Sequence, residues 1–484
     1  MELITIISLV TSYNIYIIVM AIFLLLDNKE TSSTFAWLFL IAFFPIVGVL
    51  LYFLFGRNLR KKNKKEKREH RRILEMMHRP LLNLVITQPS KRIHVKKILK
   101  YNDTKRLMSL LYKNSDSLLT TANEVTVIQS GEEKFKLLLE DIRKAKSFIH
   151  FEYFIWKNDP FTMKLRDILM EKLKEGVEVR ILGDALGCFF FKKHYYRRLI
   201  KAGAKVKASG DLLYPSKIHT LNYRNHRKIV VIDGKIGYTG GMNLGEEYST
   251  GGRRFKSWRD THLRLKGESV GVLQGLFALD WYMAAEEELF DEKYYKYDRL
   301  NQAVPLQITT SGPDSEWDSI RQLYLALIAS AQEKVYIQSP YFVPDQSLLS
   351  FLTTAALGGL DIRLMITGIP DKKIPYWAAY TYFKELLKAG VKIYHYKKGF
   401  LHSKTVIVDN EVCTIGTANL DIRSFLLNYE LNTLIYDRKI TENLEEAFFE
   451  DMRHCSQFTL EDYKRLSIFA KLRNSIAKLL APLL

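Results

Sequence analysis

The sequence predicts an α/β protein in which two homologous domains form a pseudo-twofold, bilobal unit, preceded by an N-terminal hairpin of two transmembrane helices. Three observations predict this fold class. Strand and helix patterns alternate from about Glu124 onwards, one motif occurs once in each half of the chain, and two uncharged apolar stretches open it. The 484 residues allow two or three domains with a sizeable core.

The two apolar stretches are Leu3–Leu26 and Phe35–Phe55, and neither contains a charged residue. As helices, both are long enough to cross a hydrocarbon layer about 30 Å thick. The short polar linker Asp27–Thr34 predicts a hairpin, and Pro45 is tolerated in a membrane helix. A cleaved signal peptide is the alternative for the first stretch, but no basic segment precedes it and no small-residue cleavage site follows.

A basic segment, Arg57–Arg72, follows the second stretch and holds ten Lys and Arg against two Glu. Such an excess predicts the cytoplasmic side of a membrane, so the rest of the chain is expected in the cytoplasm, although a solvated linker helix is also compatible. The formal net charge of +19 predicts an anionic partner, either nucleic acid or an acidic membrane surface. The predicted domains are a transmembrane hairpin (1–56), a basic juxtamembrane linker (57–120), and two α/β domains (121–300 and 301–484).

The two halves have the same order of predicted elements. In the first half, strands are predicted at Val125–Gln129, Ser147–Trp156, Val177–Gly183 and Lys205–Ala208, and helices at Glu132–Lys146, Phe161–Glu175 and Phe191–Ala202. In the second half, strands are predicted at Gln307–Thr310, Lys334–Pro340, Asp361–Thr367 and Val391–Tyr396, and helices at Ser319–Gln332 and Tyr376–Ala389. Local matches, such as Ala202–Val206 with Ala389–Ile393, indicate an internal duplication.

A short motif is central to both halves: His, one residue, Lys, four residues, Asp. A small-residue turn and an Asn follow, and the Asn lies 17 positions after the His in both copies (243 − 226 and 419 − 402). The copies consist of His226, Lys228, Asp233 and Asn243, and of His402, Lys404, Asp409 and Asn419. Two core strands without function are the alternative interpretation, but chance seldom repeats the whole spacing.

The motif is predicted to lie on a strand. His and Lys two positions apart point to the same face of a strand, and the mostly apolar residues after each Lys indicate a strand covered on both sides. Asp233 and Asp409 stand an odd number of positions from the His and begin turn-forming pairs with Gly234 and Asn410. We therefore interpret both Asp residues as groups that hold the motif in shape.

The duplicated motif, with Gly240–Asn243 and Gly416–Asn419 behind it, resembles the phospholipase D superfamily. The apolar hairpin, the basic segment, Ser339–Asp345 and Asn419–Phe425 are similar to bacterial cardiolipin synthases within it. The resemblance implies two phospholipase D-like domains and a catalytic set of His226, Lys228, Asp233, His402, Lys404 and Asp409. It also implies a phosphatidyltransferase that joins two phosphatidylglycerol molecules into cardiolipin and glycerol through a phosphohistidine, with His226 as nucleophile and His402 as general acid and base.

Two His, two Lys and two Asn from two halves suit a phosphodiester, and the residues themselves do not distinguish the two His. Lys228 and Lys404 would stabilise charge on the non-bridging oxygens. Further hydrogen bonds to these oxygens are expected from Asn243, Asn419 and Thr417. No cofactor or metal is expected, because the Lys pair supplies the positive charge and no carboxylate-rich cluster is visible; a zinc site built from the two His is the alternative.

An acidic residue follows each motif in a strand-like stretch: Asp260 in the first half and Glu430 in the second. A catalytic His needs an acceptor on its second ring nitrogen, and in the phospholipase D superfamily an acid near this point orients the motif His. The alternative is a surface acid that balances Arg259 or Arg423. Weaker candidates for the same role are Glu246 and Glu247.

The C-terminal stretch Lys464–Leu484 has the pattern of a basic amphipathic helix, which either lies in a membrane interface or packs on the second domain. The expected partners are phosphatidylglycerol and anionic membrane lipid, with no nucleic acid, and homo-oligomerisation is left open. The expected location is the cell membrane, with a multi-pass anchor. Three alternative functions stay open: a phospholipase that uses water as acceptor, a nuclease, and a catalytically idle binder of anionic lipid.

Overall fold

The computed structural model describes residues 2–27, 31–52, 56, 72–91, 104–189, 193–210, 222–298, 300 and 304–480. These residues fall into two compact units. One contains the N-terminal helices, and the other contains both α/β halves within 64–210 and 224–484. The basic segment at 57–71, and residues 211–221 of the loop before the first motif, lie outside the described residues.

The N-terminal unit contains helices α1 (Glu2–Leu26), α2 (Thr31–Phe43) and α3 (Pro45–Leu51). Tyr52, in its small core, donates a hydrogen bond of 2.7 Å to Asp27. The second predicted span is not one continuous helix, because Pro45 has no N–H to donate and starts a new helix instead. Within the part of the chain that the structure describes, no helix combines the length and the apolarity needed to cross a membrane.

Ten strands lie among the described residues between 72 and 300. Strands β1 to β10 are Leu119–Thr120, Asn123–Ile128, Phe148–Tyr153, Glu178–Asp184, Lys205–Ser209, Arg224–Asn225, Ile229–Ile232, Ile236–Gly240, Trp258–Arg259 and His262–Gly267. Helices α4 to α10 are Leu82–Ile86, Thr104–Ser115, Gly131–Lys144, Pro160–Lys174, Lys193–Lys201, Glu247–Thr250 and Glu268–Ala285. Short 3₁₀ turns occupy Arg79–Leu81 and Glu292–Tyr294, and a π-helical turn occupies Ala185–Phe189.

The second half has a matching set of described elements. Strands β11 to β21 are Leu306–Ser311, Lys334–Gln338, Phe342–Val343, Asp361–Thr367, Lys392–Tyr396, Phe400–Leu401, Thr405–Val408, Val412–Gly416, Leu420–Asp421, Asn428–Ile435 and Cys455–Phe458. Helices α11 to α17 are Ser319–Ser330, Gln346–Leu357, Lys373–Ala389, Ile422–Leu426, Arg438–Met452, Leu460–Lys464 and Ile468–Leu480.

The sheets of the two halves have the same topology. The first sheet has the order β2-β10-β8-β7-β3-β4-β5, and the second has the order β11-β20-β18-β17-β12-β14-β15 of equivalent strands, extended by β1 and β21. In the first sheet, β3 pairs parallel with β4 and antiparallel with β7, which follows the first motif Lys. In the second sheet, β12 pairs in the same way with β14 and with β17. This identity of order and direction confirms the predicted α/β class and the internal duplication.

The segment predicted as a linker carries structure near its end. Helix α5 packs in the core of the second half, where Leu107, Met108 and Leu111 are buried. Strand β1 pairs antiparallel with β11 and so lengthens the second sheet. Residues 104–120 therefore extend the second half although they precede the first half in sequence.

The C-terminal helix α17 has two different faces. Its Asn474 and Ala477 are buried, and Arg473 and Lys478 lie 4.5 Å from the ring centroids of Trp377 and Tyr382 on helix α13. Packing on the second domain, one of the two predicted alternatives, therefore holds for this face. The other face leaves apolar side chains exposed: Ile468, Phe469, Leu472, Ile476, Leu479 and Leu480.

Candidate active site

The two motif segments cross from one half to the other. Strand β6, just before His226, pairs parallel with β20 of the second half, and β16, just before His402, pairs parallel with β9 of the first half. The backbone N–H of His226 donates to the carbonyl of Tyr429 at 2.9 Å, and that of His402 donates to the carbonyl of Arg259 at 2.7 Å. Both motifs therefore lie at the boundary between the halves.

The expectation that His-x-Lys lies on a regular strand is wrong in detail. Residues 226–228 and 402–404 occupy short irregular gaps, and the motif strands β7 and β17 begin only at the following residue. The cause is that the chain exchanges its hydrogen-bonding partner here. It leaves a strand of the other half and joins the sheet of its own half within three residues.

Each motif His is hydrogen-bonded to an acid from the opposite half. His226 Nδ1 lies 2.9 Å from Glu430 Oε2, and His402 Nδ1 lies 2.7 Å from Asp260 Oδ2. Both carboxylates are completely buried. A carboxylate on Nδ1 fixes the tautomer and leaves Nε2 for chemistry. The structure therefore brings together the four residues that the sequence predicted as two His and their orienting acids.

The ionisation of these pairs is set by burial and by their neighbours. Burial lowers the pKa of His226 to about 4, against the opposing effect of Glu430, and also lowers the pKa of His402. Burial alone would raise the pKa of Glu430, but His226 and Lys228 hold it at about 2. In the same way, His402 and its neighbours lower the pKa of Asp260 despite burial. Both pairs therefore consist of a neutral imidazole and an ionised carboxylate near pH 7.

The two motif lysines are buried between these pairs. Lys228 Nζ donates to the carbonyl of His226 at 2.7 Å, and Lys404 Nζ donates to the carbonyl of His402. Burial lowers the pKa of Lys228 to about 7 and that of Lys404 to about 8, while Glu430 and Asp260 oppose the shift. The lysine of each half also lowers the pKa of the other half's His. The four cationic or basic groups therefore form one electrostatically coupled cluster.

The backbone at Asn243 is hydrogen-bonded to Lys134, a buried lysine that is not among the predicted site residues. Lys134 is fully buried, and its Nζ donates to the carbonyls of Met242 (2.9 Å) and Asn243 (3.2 Å). Asn243 Oδ1 accepts from the N–H of Ile155 at 3.3 Å. A signal for Lys134 existed: it stands four positions before Leu138 on the apolar face of helix α6, where a charge needs a partner.

The hydroxyl of Thr417, which is predicted to bind the substrate phosphate, is engaged within the protein. Its hydroxyl donates to Glu430 and accepts from the N–H of Leu431 at 2.9 Å, so its single proton is directed at the carboxylate that orients His226. Asn419 is buried near this turn, and its Oδ1 has no hydrogen-bond partner among the described residues. The Thr417 hydroxyl therefore contacts the carboxylate that is hydrogen-bonded to His226.

Close packing explains the glycine at the equivalent position of the first half. A Cβ atom on Gly241 would lie 2.0 Å from Asp260 Oδ1, inside any allowed contact. Gly241 and Thr417 occupy equivalent positions. The absence of a side chain at Gly241 leaves room for the carboxylate of Asp260, whereas the Thr417 hydroxyl donates to the carboxylate of Glu430.

The motif Asp residues lie at turns and serve the backbone. Both have left-handed φ angles, 54° at Asp233 and 50° at Asp409. Asp233 accepts hydrogen bonds of 2.8, 2.8 and 2.9 Å from the N–H groups of residues 146–148, and Asp409 accepts bonds of 2.7, 2.9 and 2.9 Å from those of residues 332–334. Each therefore ties the end of the motif strand to the start of its neighbour.

Arg259, the other possible partner of Asp260, and the weaker candidates Glu246 and Glu247 all have partners elsewhere. Arg259 binds Asp451 through Nε at 2.8 Å rather than the side chain of Asp260. Glu247 pairs with Lys157, and the N–H of Glu246 donates to Asp159. The carboxylates bonded to the motif His rings are those of Glu430 and Asp260 instead.

Aromatic rings flank each His. The Phe154 ring meets His226 edge-on at a centroid distance of 4.9 Å. The rings of Trp258 and Phe400 lie 5.2 and 5.7 Å from His402. These rings limit water around the imidazoles and strengthen their electrostatic interactions.

The fold and the paired His-Lys sites define a phospholipase D-like protein. A solved structure with the same fold is the phosphatidylserine synthase of Haemophilus influenzae Rd KW20, with a TM-score of 0.59 at 16% identity over 79% of this chain and 100% of that one. The polyphosphate kinase from Porphyromonas gingivalis matches with a TM-score of 0.50 at 12% identity over 74% of this chain and 52% of that one.

Similar sequences place the chain in one particular family among the proteins with this fold. The family profile described as "Cardiolipin synthase, PLD-like domain" matches residues 138–251 and 324–452, and the profile "Phospholipase_D-nuclease N-terminal" matches residues 14–57. The major cardiolipin synthase ClsA of Bacillus subtilis is 40% identical over 99% of this chain and 98% of its own length. A cardiolipin synthase of Geobacillus kaustophilus is 39% identical over 97% of this chain and 92% of its own length. The chain belongs to the cardiolipin synthase family.

Proposed function

We propose that this protein is a cardiolipin synthase that transfers a phosphatidyl group from one phosphatidylglycerol to the glycerol hydroxyl of another. The observation that carries the proposal is the crossed pairing of two His with two buried carboxylates beside two buried lysines. Family membership over nearly the whole chain supports the same activity. The products are one cardiolipin and one glycerol.

The first step forms a phosphohistidine. Nε2 of neutral His226 attacks the phosphorus of the donor, and the P–O bond to its headgroup glycerol breaks while His402 delivers a proton to the leaving oxygen. Positive charge develops on the His226 ring, and Glu430 stabilises it from Nδ1. The depressed pKa of His226 favours the unprotonated nucleophile.

The second step reverses the proton transfer. His402 removes the proton from the glycerol hydroxyl of a second phosphatidylglycerol, the oxygen attacks phosphorus, and the P–N bond to His226 breaks. Asp260 stabilises the imidazolium that His402 forms. The enzyme returns to its initial protonation state, with His402 again able to act as the acid.

The negative charge of the substrate completes the site. Burial lowers the pKa of both lysines and of His402 when no anion compensates them. A bound phosphodiester raises these pKa values, because its charge favours the protonated forms. Lys228 and Lys404 are then positioned to bind the non-bridging oxygens, and His402 takes up on Nε2 the proton that the leaving group needs. Asn243 and Asn419 are assigned neutral hydrogen bonds to the same phosphate.

A direct test is lipid analysis by mass spectrometry after incubation of the purified protein with phosphatidylglycerol vesicles. Cardiolipin and glycerol should form in equal amounts, and His226→Ala and His402→Ala should abolish both. The matched control is His454→Ala, since His454 lies on the surface beside Lys398. Release of phosphatidic acid without cardiolipin would instead identify a phospholipase.

The N-terminal hairpin is proposed to anchor the enzyme in the cell membrane, with the catalytic halves in the cytoplasm. The uncharged stretches, the basic segment after them and the N-terminal family match support this arrangement. In a background without native cysteines, Ser33→Cys should react with an impermeant thiol reagent added outside intact cells, and Lys164→Cys should not. Protection of both sites would contradict a multi-pass hairpin.

The exposed apolar face of helix α17 is proposed to lie in the membrane interface. Phe469 and Leu479 are 80% and 77% exposed, and basic residues accompany them along the helix. An environment-sensitive dye on Leu479→Cys should shift to shorter wavelength with anionic vesicles. The same dye on Met283→Cys, an exposed apolar position in the first half, should not respond.

A further inference from the structure

A cleft of about 390 Å³ opens beside the His402 side of the active site. Its lining residues are Glu247, Gly251, Arg253, Arg254, Phe255, Trp258 and Asp371. The inner wall belongs to the surroundings of His402, because the Trp258 ring lies 5.2 Å from the His402 ring and Trp258 Nε1 lies 3.5 Å from Asp260 Oδ2. A molecule in this cleft therefore lies next to the proposed general acid and base.

The cleft presents two guanidinium groups to solvent. Arg254 is held across the two halves, because its Nη2 donates to the carbonyl of Pro370 at 2.8 Å and its guanidinium lies 5.2 Å from the centroid of the Phe255 ring. Arg253 is exposed and forms no ion pair or hydrogen bond with another described residue. Together the two arginines suit an oxyanion such as a phosphodiester.

The two acids of the cleft are already engaged. Glu247 forms an ion pair with Lys157, and Asp371 accepts hydrogen bonds from the hydroxyl of Tyr341 and from the N–H of Lys372. Neither acid forms an ion pair with Arg253 within the described part of the cleft. An incoming anion would compensate its charge.

The chemistry of the second step requires a group that recognises the acceptor. His402 protonates the departing glycerol and later deprotonates the incoming hydroxyl, so both alcohols occupy the same side of the phosphorus. A phosphatidylglycerol acceptor differs from glycerol and from water by carrying a second phosphodiester, one glycerol length from the reacting hydroxyl. A cationic site outside the catalytic pocket can use that difference.

We infer that this cleft binds the phosphodiester of the acceptor phosphatidylglycerol through Arg253 and Arg254. This inference rests on the proposed function. The cleft thereby places the acceptor hydroxyl at His402 Nε2 and favours phosphatidylglycerol over small alcohols and water. Acceptor choice, and with it the outcome of synthesis rather than hydrolysis, is set in the cleft.

The test compares two acceptors in the full-length enzyme. One assay measures cardiolipin formation from phosphatidylglycerol vesicles, and the other measures exchange of labelled glycerol into phosphatidylglycerol, which needs the donor but no second lipid. The double variant Arg253→Gln/Arg254→Gln should lower the ratio of cardiolipin formation to glycerol exchange at least about tenfold. Arg253→Lys/Arg254→Lys should restore part of that ratio.

The matched control removes another adjacent pair of exposed arginines, Arg197→Gln/Arg198→Gln, and should leave the ratio at the wild-type value. An unchanged ratio in the Arg253/Arg254 variant, or an equal loss in both assays, would overturn the inference. A wild-type enzyme that exchanges glycerol but makes no cardiolipin would overturn the proposed function instead, so the two failures are distinguishable.

Discussion

Replacement of Glu430 by Gln tests the crossed pairing, because it removes one charge and almost no volume. The Glu430 carboxylate accepts from His226 Nδ1 at 2.9 Å, from Thr417, and from Asn428 Nδ2 at 3.1 Å. Gln can keep some of these contacts, but it cannot stabilise the positive charge that the His226 ring acquires as it attacks phosphorus.

The magnitude follows from the geometry. Unit charges centred about 4 Å apart interact by about 4 kcal/mol at an effective dielectric constant near 20. A neutral hydrogen bond from the amide retains about 1 kcal/mol of this. The net loss of about 3 kcal/mol in the transition state slows phosphohistidine formation about 100-fold.

The assay uses a phosphatidyl ester of p-nitrophenol, whose leaving group needs no proton. With this substrate, Asp260→Asn should keep a rapid burst of p-nitrophenol, because it impairs only the proton transfer by His402. Glu430→Gln should lose the burst. Glu445→Gln, which alters a buried glutamate paired with Lys334, is the matched control.

Two results would refute the reasoning. A normal burst in Glu430→Gln would show that the carboxylate does not assist the nucleophile. The opposite pattern, with the burst lost in Asp260→Asn and kept in Glu430→Gln, would make His402 the nucleophile.

Three further predictions concern the same site. The value of kcat/KM should fall as pH rises above about 7 to 8, because Lys228 and Lys404 have pKa values of about 7 and 8 and bind an anion only when protonated; a profile that stays flat to pH 10 would contradict this. Gly241→Ala should displace the carboxylate that orients the second motif His and lower activity at least about 100-fold, whereas Gly358→Ala, whose Cβ would meet nothing closer than 3.3 Å, should stay active. Asp233→Ala should lower the free energy of unfolding by about 3 kcal/mol, because three hydrogen bonds to a carboxylate are lost, while the folded fraction keeps its activity; thermal unfolding in detergent with parallel assays checks both parts.

Local patterns were enough to locate most of the fold. Strand and helix periodicities predicted the α/β order, although element ends differ by a few residues, as where β3 stops at Tyr153 rather than Trp156. The second apolar stretch is predicted to be one helix, but Pro45 lacks an N–H and begins a new helix there. These are short-range properties of the backbone, which neighbouring residues largely determine.

From the sequence alone we predicted the duplication, the place of the two motifs and their His, Lys, Asn and acidic residues, because these features depend on spacing along short segments of the chain. The pairing of each His with an acid of the opposite half is visible only in the folded chain, since His226 and Glu430 are 204 positions apart and Asp260 and His402 are 142 apart. The buried Lys134, the use of the Thr417 proton and the arginine cleft were likewise decided by packing. Contacts between distant segments depend on how two folded halves meet, and no local pattern encodes that geometry.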